Sequence, residues 1–289
     1  MKIILRVFTF LVTLYLLPGQ VCSQVPNTDL PEDLVDAAKR FEEAWKDNAS
    51  LPSVRALLPT ITQDEAYELQ GVWVMNTLEK EEIGGVKAGV VTPGSQKTFG
   101  IDTPLSGILR SKGNIDARPK ATIRLKDYPE LVLETEIGFL IGKRIEEPPK
   151  SIEELKEYVQ AIVPVIELAA GQWEKPEGPP SAVDYIAINL LASGVVIGKG
   201  IDANSLDPKN LQLSFSYNGE ELHTASGEEN WYGPWETALW MTEYAHLQGI
   251  SLEPGHLIIC GALGKVHTAG KGKYTLKAEP IGKIVLKIK

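Results

Sequence analysis

The stretch Leu131 to Ile141, LVLETEIGFLI, constrains this chain more than any other. Tyr128-Pro129 precedes it and Gly142 follows it, so it reads as one strand between two turn signals. Side chains alternate between faces along a strand, which puts Glu134 and Glu136 on the same side, about 7 Å apart at roughly 3.3 Å per residue. Leu131, Leu133, Ile137 and Phe139 occupy the opposite, buried-looking face. Two carboxylates side by side in an apolar strand repel each other and resist burial. Mg2+ or Mn2+ would resolve both problems, because hard cations prefer carboxylate oxygens. The alternative is the solvent face of an edge strand.

Composition narrows the classes. The 289 residues are 43% hydrophobic with mixed charge, as in a globular protein. A net charge of −9 argues against a nucleic-acid partner, since a phosphate backbone requires a basic surface. Cys22 and Cys260 are the two cysteines, and no Cys/His cluster suggests a structural zinc. Lys2 and Arg6, the apolar run Val7 to Leu17, and Val21-Cys22-Ser23 before Gln24 form the pattern of a secretory signal peptide over residues 1–23. The run is shorter than the roughly 20 residues that a membrane span needs, and no later stretch is long and apolar enough to span. A secreted or periplasmic mature chain of residues 24–289 is the expectation. It would carry no disulfide, and Asn48-Ala49-Ser50 is a glycosylation triplet.

Taken in order, the mature chain begins with helix signals. Asp29, Pro31 and Glu32 open a first helix whose stripe is Leu34, Ala38, Phe41 and Trp45. A second runs from about Thr62 to Glu82, buries Ala66, Leu69, Val72, Trp73 and Leu78, and is closed by Gly84-Gly85. Strand signals follow. Val86 to Thr92 carries Lys87, and Pro93 to Gly107 reads as a binding loop or lid. Val163 to Leu168 is apolar except for Glu167. Val183 to Ala192 reads as a helix bearing Asp184 and Asn189, and Trp235 to Gln248 as another, stopped by Gly249. Strands over Gly194–Gly198, Leu211–Tyr217, His256–Gly261, Tyr274–Ala278 and Ile284–Ile288 complete one α+β domain, with a helical layer up to about residue 83.

Glu134, Glu136 and Glu167 lie on apolar strands that can be neighbours. Together they would leave about half of an octahedral cation shell open to substrate. Lys87 could add a positive charge beside them, although lysines at strand ends commonly just reach solvent. No nucleophile elbow, P-loop or dinucleotide fingerprint occurs. The four histidines, His223, His246, His256 and His267, all lie beyond residue 222.

Several motifs in order resemble the 2-keto-4-pentenoate hydratase branch of the fumarylacetoacetate hydrolase superfamily. They are Ala66-Tyr67-Glu68-Leu69-Gln70, Val86-Lys87-Ala88-Gly89, Phe99-Gly100-Ile101-Asp102, Leu133-Glu134-Thr135-Glu136-Ile137-Gly138-Phe139, Val165-Ile166-Glu167 and Leu252-Glu253-Pro254-Gly255. The resemblance implies an α+β, fumarylacetoacetate hydrolase-like mixed β-roll and a homo-oligomer. It implies Mg2+ or Mn2+ held by Glu134, Glu136 and Glu167, and a small 2-oxo or 2-hydroxy carboxylic acid as ligand. Lys87, Asn189 and Asp184 would then be catalytic, and Thr92, Tyr67 and Gln70 would contact substrate. Ile188, Glu236 and Cys260 depart from the family pattern. The expected reaction is hydration of a 2-hydroxy-2,4-dienoate. Decarboxylation of an oxalocrotonate-like diacid, C–C bond hydrolysis, and non-catalytic acid binding on the same fold are the alternatives. The absence of a histidine before the E-x-E strand counts against hydrolysis.

Overall fold

The computed structural model describes residues 30–78, 82–117 and 120–289. Asp29 and the leader expected over residues 1–23 lie outside the described residues. Three helices come first: α1 (Glu32–Lys46), α2 (Val54–Leu57) and α3 (Gln63–Asn76). The α1 stripe buries Leu34, Ala38 and Phe41, whose ring lies 5.9 Å from that of Trp73 on α3. A reciprocal cap between Thr62 and Glu65 starts α3.

The expectation that α3 runs to Glu82 and stops at Gly84-Gly85 is corrected, because both glycines lie inside β1 (Ile83–Gly89). A Cβ on Gly85 would stand 1.8 Å from the Leu257 carbonyl oxygen, so this glycine serves a close strand approach, not a helix stop. The loop expected over Pro93–Gly107 is corrected too. It holds α4 (Pro93–Phe99) and the start of β2 (Leu105–Arg110). Pro93 is the helix's first residue after the Thr92 cap, and Gly100, at φ +66°, ends it.

The remaining elements are β3 (Asn114–Asp116), β4 (Ala121–Ile123), β5 (Val132–Ile141), α5 (Ile152–Lys156), β6 (Val159–Ala169), α6 (Ala182–Ala187), β7 (Ala192–Ile197), β8 (Ile201–Asp202), β9 (Gln212–Tyr217), β10 (Glu220–Ser226), α7 (Pro234–Leu247), β11 (Leu257–Ile259), β12 (Leu263–Thr268), β13 (Gly272–Glu279) and β14 (Gly282–Ile288). The helix expected over Val183–Ala192 thus ends at Ala187. Beyond it Asn189, Leu190 and Leu191 all have positive φ, at 54°, 49° and 54°. Consecutive left-handed residues are rare, because each costs about 1–2 kcal/mol outside glycine.

The larger sheet runs β2-β1-β11-β5-β6-β7-β3, with β12 added to β5 and β8 to β6. Its two ends, β2 and β3, are joined in sequence only by the turn Ser111–Gly113. Three residues span roughly 10 Å. The ends of a flat sheet of this order would be about 29 Å apart at ~4.8 Å per strand. The sheet must therefore curl until its edges meet, and the result is a roll. Leu109, Val163, Val165, Ala192, Val195, Leu257 and Ile259 fill part of its inner face. The outer face shares a second apolar core with α1, α3, α7 and a smaller sheet of order β10-β9-β13-β14-β4.

Asn189 fastens the seam. Its Oδ1 accepts from the Ile108 N–H at 2.8 Å and its Nδ2 donates to the Ile108 carbonyl at 2.9 Å, so one side chain pairs the free edge of β2 as a strand would. Asn189→Ala is expected to lower stability by about 2–4 kcal/mol, because it leaves two buried backbone groups unpaired. Urea unfolding checks this: the midpoint should fall at constant slope.

Candidate metal centre

Strands β5 and β6 run antiparallel with Glu134 directly opposite Glu167 and Glu136 opposite Val165. The two-residue period sends all three acids to the inner face of the roll. One carboxylate oxygen from each lies within 4.8 Å of the others. Glu136 and Glu167 are fully buried, and Glu134 keeps partial exposure.

An interruption on the other side of β5 completes the arrangement. There β11 pairs with Gly138 to Leu140, whereas β12 pairs from Thr135 towards Val132. The peptides between them leave the ladder opposite Glu136. Gly261, at φ +92°, points its N–H at Glu136 Oε2, 2.7 Å away. A Cβ on Gly261 would meet Val91 Cγ2 at 2.7 Å, so this turn requires glycine. Glu136 Oε1 and Glu167 Oε2 are buried with no hydrogen-bond partner. Orphaned carboxylate oxygens are costly in a native interior. Two of them in a cluster of three acids form a hard-oxygen donor set, and Glu134, Glu136 and Glu167 fit Mg2+ or Mn2+.

Lys87 enters from β1, which is separated from β5 only by β11. Its register partner on β11 is Ile259, which in turn faces Gly138. From there the ammonium donates to Glu167 Oε1 and, at 3.1 Å, to the Leu190 carbonyl of the left-handed turn. Burial and the neighbouring Glu167 push Glu134 up to about 7, with Lys87 pulling the other way. Burial and Glu167 also hold Glu136 well above the ordinary carboxylate range, against the same pull. For Lys87, burial alone would favour loss of the proton, but Glu167, Glu134 and Glu136 together outweigh it and raise the ammonium above its ordinary value.

The structure thus joins Glu134, Glu136, Glu167 and Lys87, with Asn189 one residue from the carbonyl that holds Lys87. The other expected residues have structural partners. Gln70 is fully buried, donating to the carbonyls of Ser106 at 3.0 Å and Ile186 at 2.9 Å. The Tyr67 hydroxyl accepts from the Ser106 N–H at 3.1 Å. Thr92 caps α4. Asp184 receives Arg55 at 2.9 Å and accepts from the Ser181 N–H at 2.7 Å. Catalytic roles for Asp184 and Asn189, and substrate contacts for Gln70, Tyr67 and Thr92, are what the resemblance implies.

Three groups escaped the sequence reading: the Gly261 N–H, the Leu190 carbonyl, and Thr135. On the outer face between the two acids, Thr135 Oγ1 donates to the Leu263 carbonyl at 2.7 Å and lies 3.1 Å from His223 Nε2. His223 Nδ1 in turn meets His267 Nε2 at 2.8 Å. Backbone groups carry no residue-type signal, and the histidines come from strands far along the chain from Thr135.

Residues 104–284 match the family profile described as "Fumarylacetoacetate (FAA) hydrolase C-terminal", more than half of the chain. The chain belongs to the fumarylacetoacetate hydrolase family. Within the superfamily it lies on the 2-keto-4-pentenoate hydratase branch. It is 26% identical over 242 residues to the 2-keto-4-pentenoate hydratase of Paraburkholderia xenovorans, covering 81% of this chain and 86% of that one. A 4-oxalocrotonate decarboxylase of a Pseudomonas species is also 26% identical, over 226 residues, covering 78% and 86%. The 4-oxalocrotonate decarboxylase of Pseudomonas putida G7, solved with magnesium and adipate, shares the fold at TM-score 0.80. It is 17% identical and covers 91% of this chain and 100% of its own. The α+β roll expected from the sequence is therefore the family's fold.

Proposed function

We propose that this protein is a divalent-cation-dependent hydro-lyase that adds water to a small 2-hydroxy-2,4-dienoate acid. The observation that carries this reading is the pair of orphaned oxygens on Glu136 and Glu167, buried in a three-carboxylate cluster with Lys87 bonded to it. Hydratase-named relatives across most of the chain support the same reaction class.

Glu134, Glu136 and Glu167 would hold Mg2+ or Mn2+. Bound there, such a cation supplies Lewis acidity and a positive field for enolate charge at the 2-oxygen of the substrate. The chain's own groups do the rest. The Gly261 N–H fixes one Glu136 oxygen, so the carboxylate does not swing. Lys87 Nζ is held by two acceptors, Glu167 Oε1 and the Leu190 carbonyl, at the edge of the cluster. It is placed there to serve substrate as a hydrogen-bond donor and general acid. The apolar inner face of Val163, Val165 and Ile259 excludes bulk water around the acids.

A decarboxylase reading has one specific support, the 4-oxalocrotonate decarboxylase relative at the same identity as the hydratases. The assay that separates them uses protein recovered after export, with a mature N-terminus expected at Gln24 in keeping with the proposed leader. With Mg2+ present, 2-hydroxypenta-2,4-dienoate should lose its dienol ultraviolet absorbance. Oxalocrotonate run in parallel should release no carbon dioxide. Carbon dioxide without dienol loss would replace hydration by decarboxylation, and neither signal would sink the lyase reading.

A further inference from the structure

The N–H that holds Glu136 belongs to a peptide that is itself held from its other side. Asn230 is 2% exposed and lies just before α7, remote in sequence from every acid of the cluster. Its Nδ2 donates to the Cys260 carbonyl at 2.9 Å. Its Oδ1 accepts from the Gly233 N–H at 3.0 Å and from Thr237 Oγ1 at 3.0 Å. Two of these partners are backbone groups with fixed donor or acceptor roles, so the orientation of the amide is determined by its network.

The Cys260 carbonyl and the Gly261 N–H are two ends of one peptide group. The cis peptide among the described residues is Glu279-Pro280, so the Cys260–Gly261 bond is trans. In a planar trans peptide the C=O and N–H point in opposite directions. Asn230 pulling on the oxygen therefore aims the hydrogen at Glu136 Oε2, 2.7 Å away. This peptide lies in the break between β11 and β12, where no strand ladder would otherwise orient it. The Cys260 N–H bonds to the Ile137 carbonyl at 3.2 Å, which fixes the preceding peptide and leaves rotation of the next one to Asn230.

We propose that Asn230 is a positioning residue for the cation site: through the Cys260–Gly261 peptide it fixes Glu136 so that Oε1 stays available as a ligand. The inference rests on the reading of the three acids as a cation site. A backbone N–H to a carboxylate is a charge-assisted bond, stronger than a neutral one. Losing its alignment frees the Glu136 carboxyl to rotate towards its acidic neighbours. Partners that orient ligands in this way change metal affinity by about 10–100-fold when removed.

The test is calorimetric titration of Mn2+ into chelator-washed full-chain protein, with melting temperature measured on the same samples. Asn230→Asp preserves size and both acceptor contacts but replaces the donor with an oxygen that repels the Cys260 carbonyl. It is expected to raise the Mn2+ dissociation constant about 10–100-fold. Thr237→Val leaves Asn230 in place and loosens one anchor, for a rise of about threefold. Should Asn230→Asp fail to fold, Thr237→Val decides the matter alone. A purely structural role would lower the melting temperature of the variants and leave the affinity of the folded protein within twofold of wild type, which would overturn the proposal. Wild-type protein that takes up no Mn2+ would instead remove the cation site itself, and this inference with it.

Discussion

Glu136→Gln is expected to eliminate Mn2+ binding and dienol turnover while leaving metal-free protein at least as stable as wild type. The glutamine matches the shape of the protonated acid that burial already favours at this position. Its carbonyl can still accept from Gly261. Its amide group takes the place of the orphaned Oε1 and turns an acceptor without a donor into a donor beside acidic neighbours. Pairing that orphan, at a position where burial already disfavours the charge, should stabilise metal-free protein by about 1–2 kcal/mol. The same change removes a ligand, so calorimetry should show no Mn2+ heat. Stability gained together with binding lost is the signature of a ligand kept against its folding interest. Equal Mn2+ affinity in wild type and variant would refute the site assignment.

Lys87→Met should do the reverse. Among the described residues Lys87 is the cation that bonds directly to the cluster. Removing one partner of a buried ion pair typically costs about 3–5 kcal/mol, and the variant should lose about 10²–10⁴ in turnover as a proton donor disappears. The stability deficit should depend on pH. Burial and Glu167 raise Glu134 to about 7 and also hold Glu136 well above its ordinary value. An acid raised in the folded state contributes stability fully present below its ordinary value near 4.5, and that contribution is lost as pH rises through 7. Lys87 opposes this loss, so without it the acids hold their protons to higher pH and the penalty grows as pH rises. Three histidines, His223, His256 and His267, are each lowered chiefly by burial and work in the opposite direction, but their contribution is complete above about 6.5. Urea unfolding of metal-free Lys87→Met should show a small deficit at pH 5.5 and a large one at pH 8.5. Saturating Mn2+ should recover much of it. Deficits of equal size at both pH values would count against the charge argument.

The acids were legible because of where they sit, not how many there are. Glu134 and Glu136 broke a two-residue apolar period, and Glu167 was the lone charge in another apolar strand. Their register, Glu134 facing Glu167, depends on a long-range pairing that no local pattern encodes. Two misreadings share one cause. Pro93 and Gly100 looked like loop punctuation but start and end α4, and Gly84-Gly85 looked like a helix stop but lies within β1. Glycine and proline report an unusual backbone requirement without saying which element has it. The left-handed turn at Asn189–Leu191 was invisible for a stronger reason. Nothing in Asn-Leu-Leu favours positive φ at two leucines, and only the closed roll, with its Ile108 and Lys87 contacts, imposes it.

The position of β11 bears on how this protein matures. All three acids and the lysine lie within the first 167 residues, yet the strand between Lys87's strand and that of Glu134 and Glu136 is residues 257–259. Until that wedge arrives, β1 and β5 have no hydrogen-bonded connection through which to bring ammonium and carboxylates together. A nascent chain emerging from the ribosome therefore carries its complete set of charged side chains long before it can assemble them. The constellation has to wait for Leu257–Ile259, through contacts of high sequence separation that form slowly. A chain cut short before Leu257 would keep every acid and still have no site.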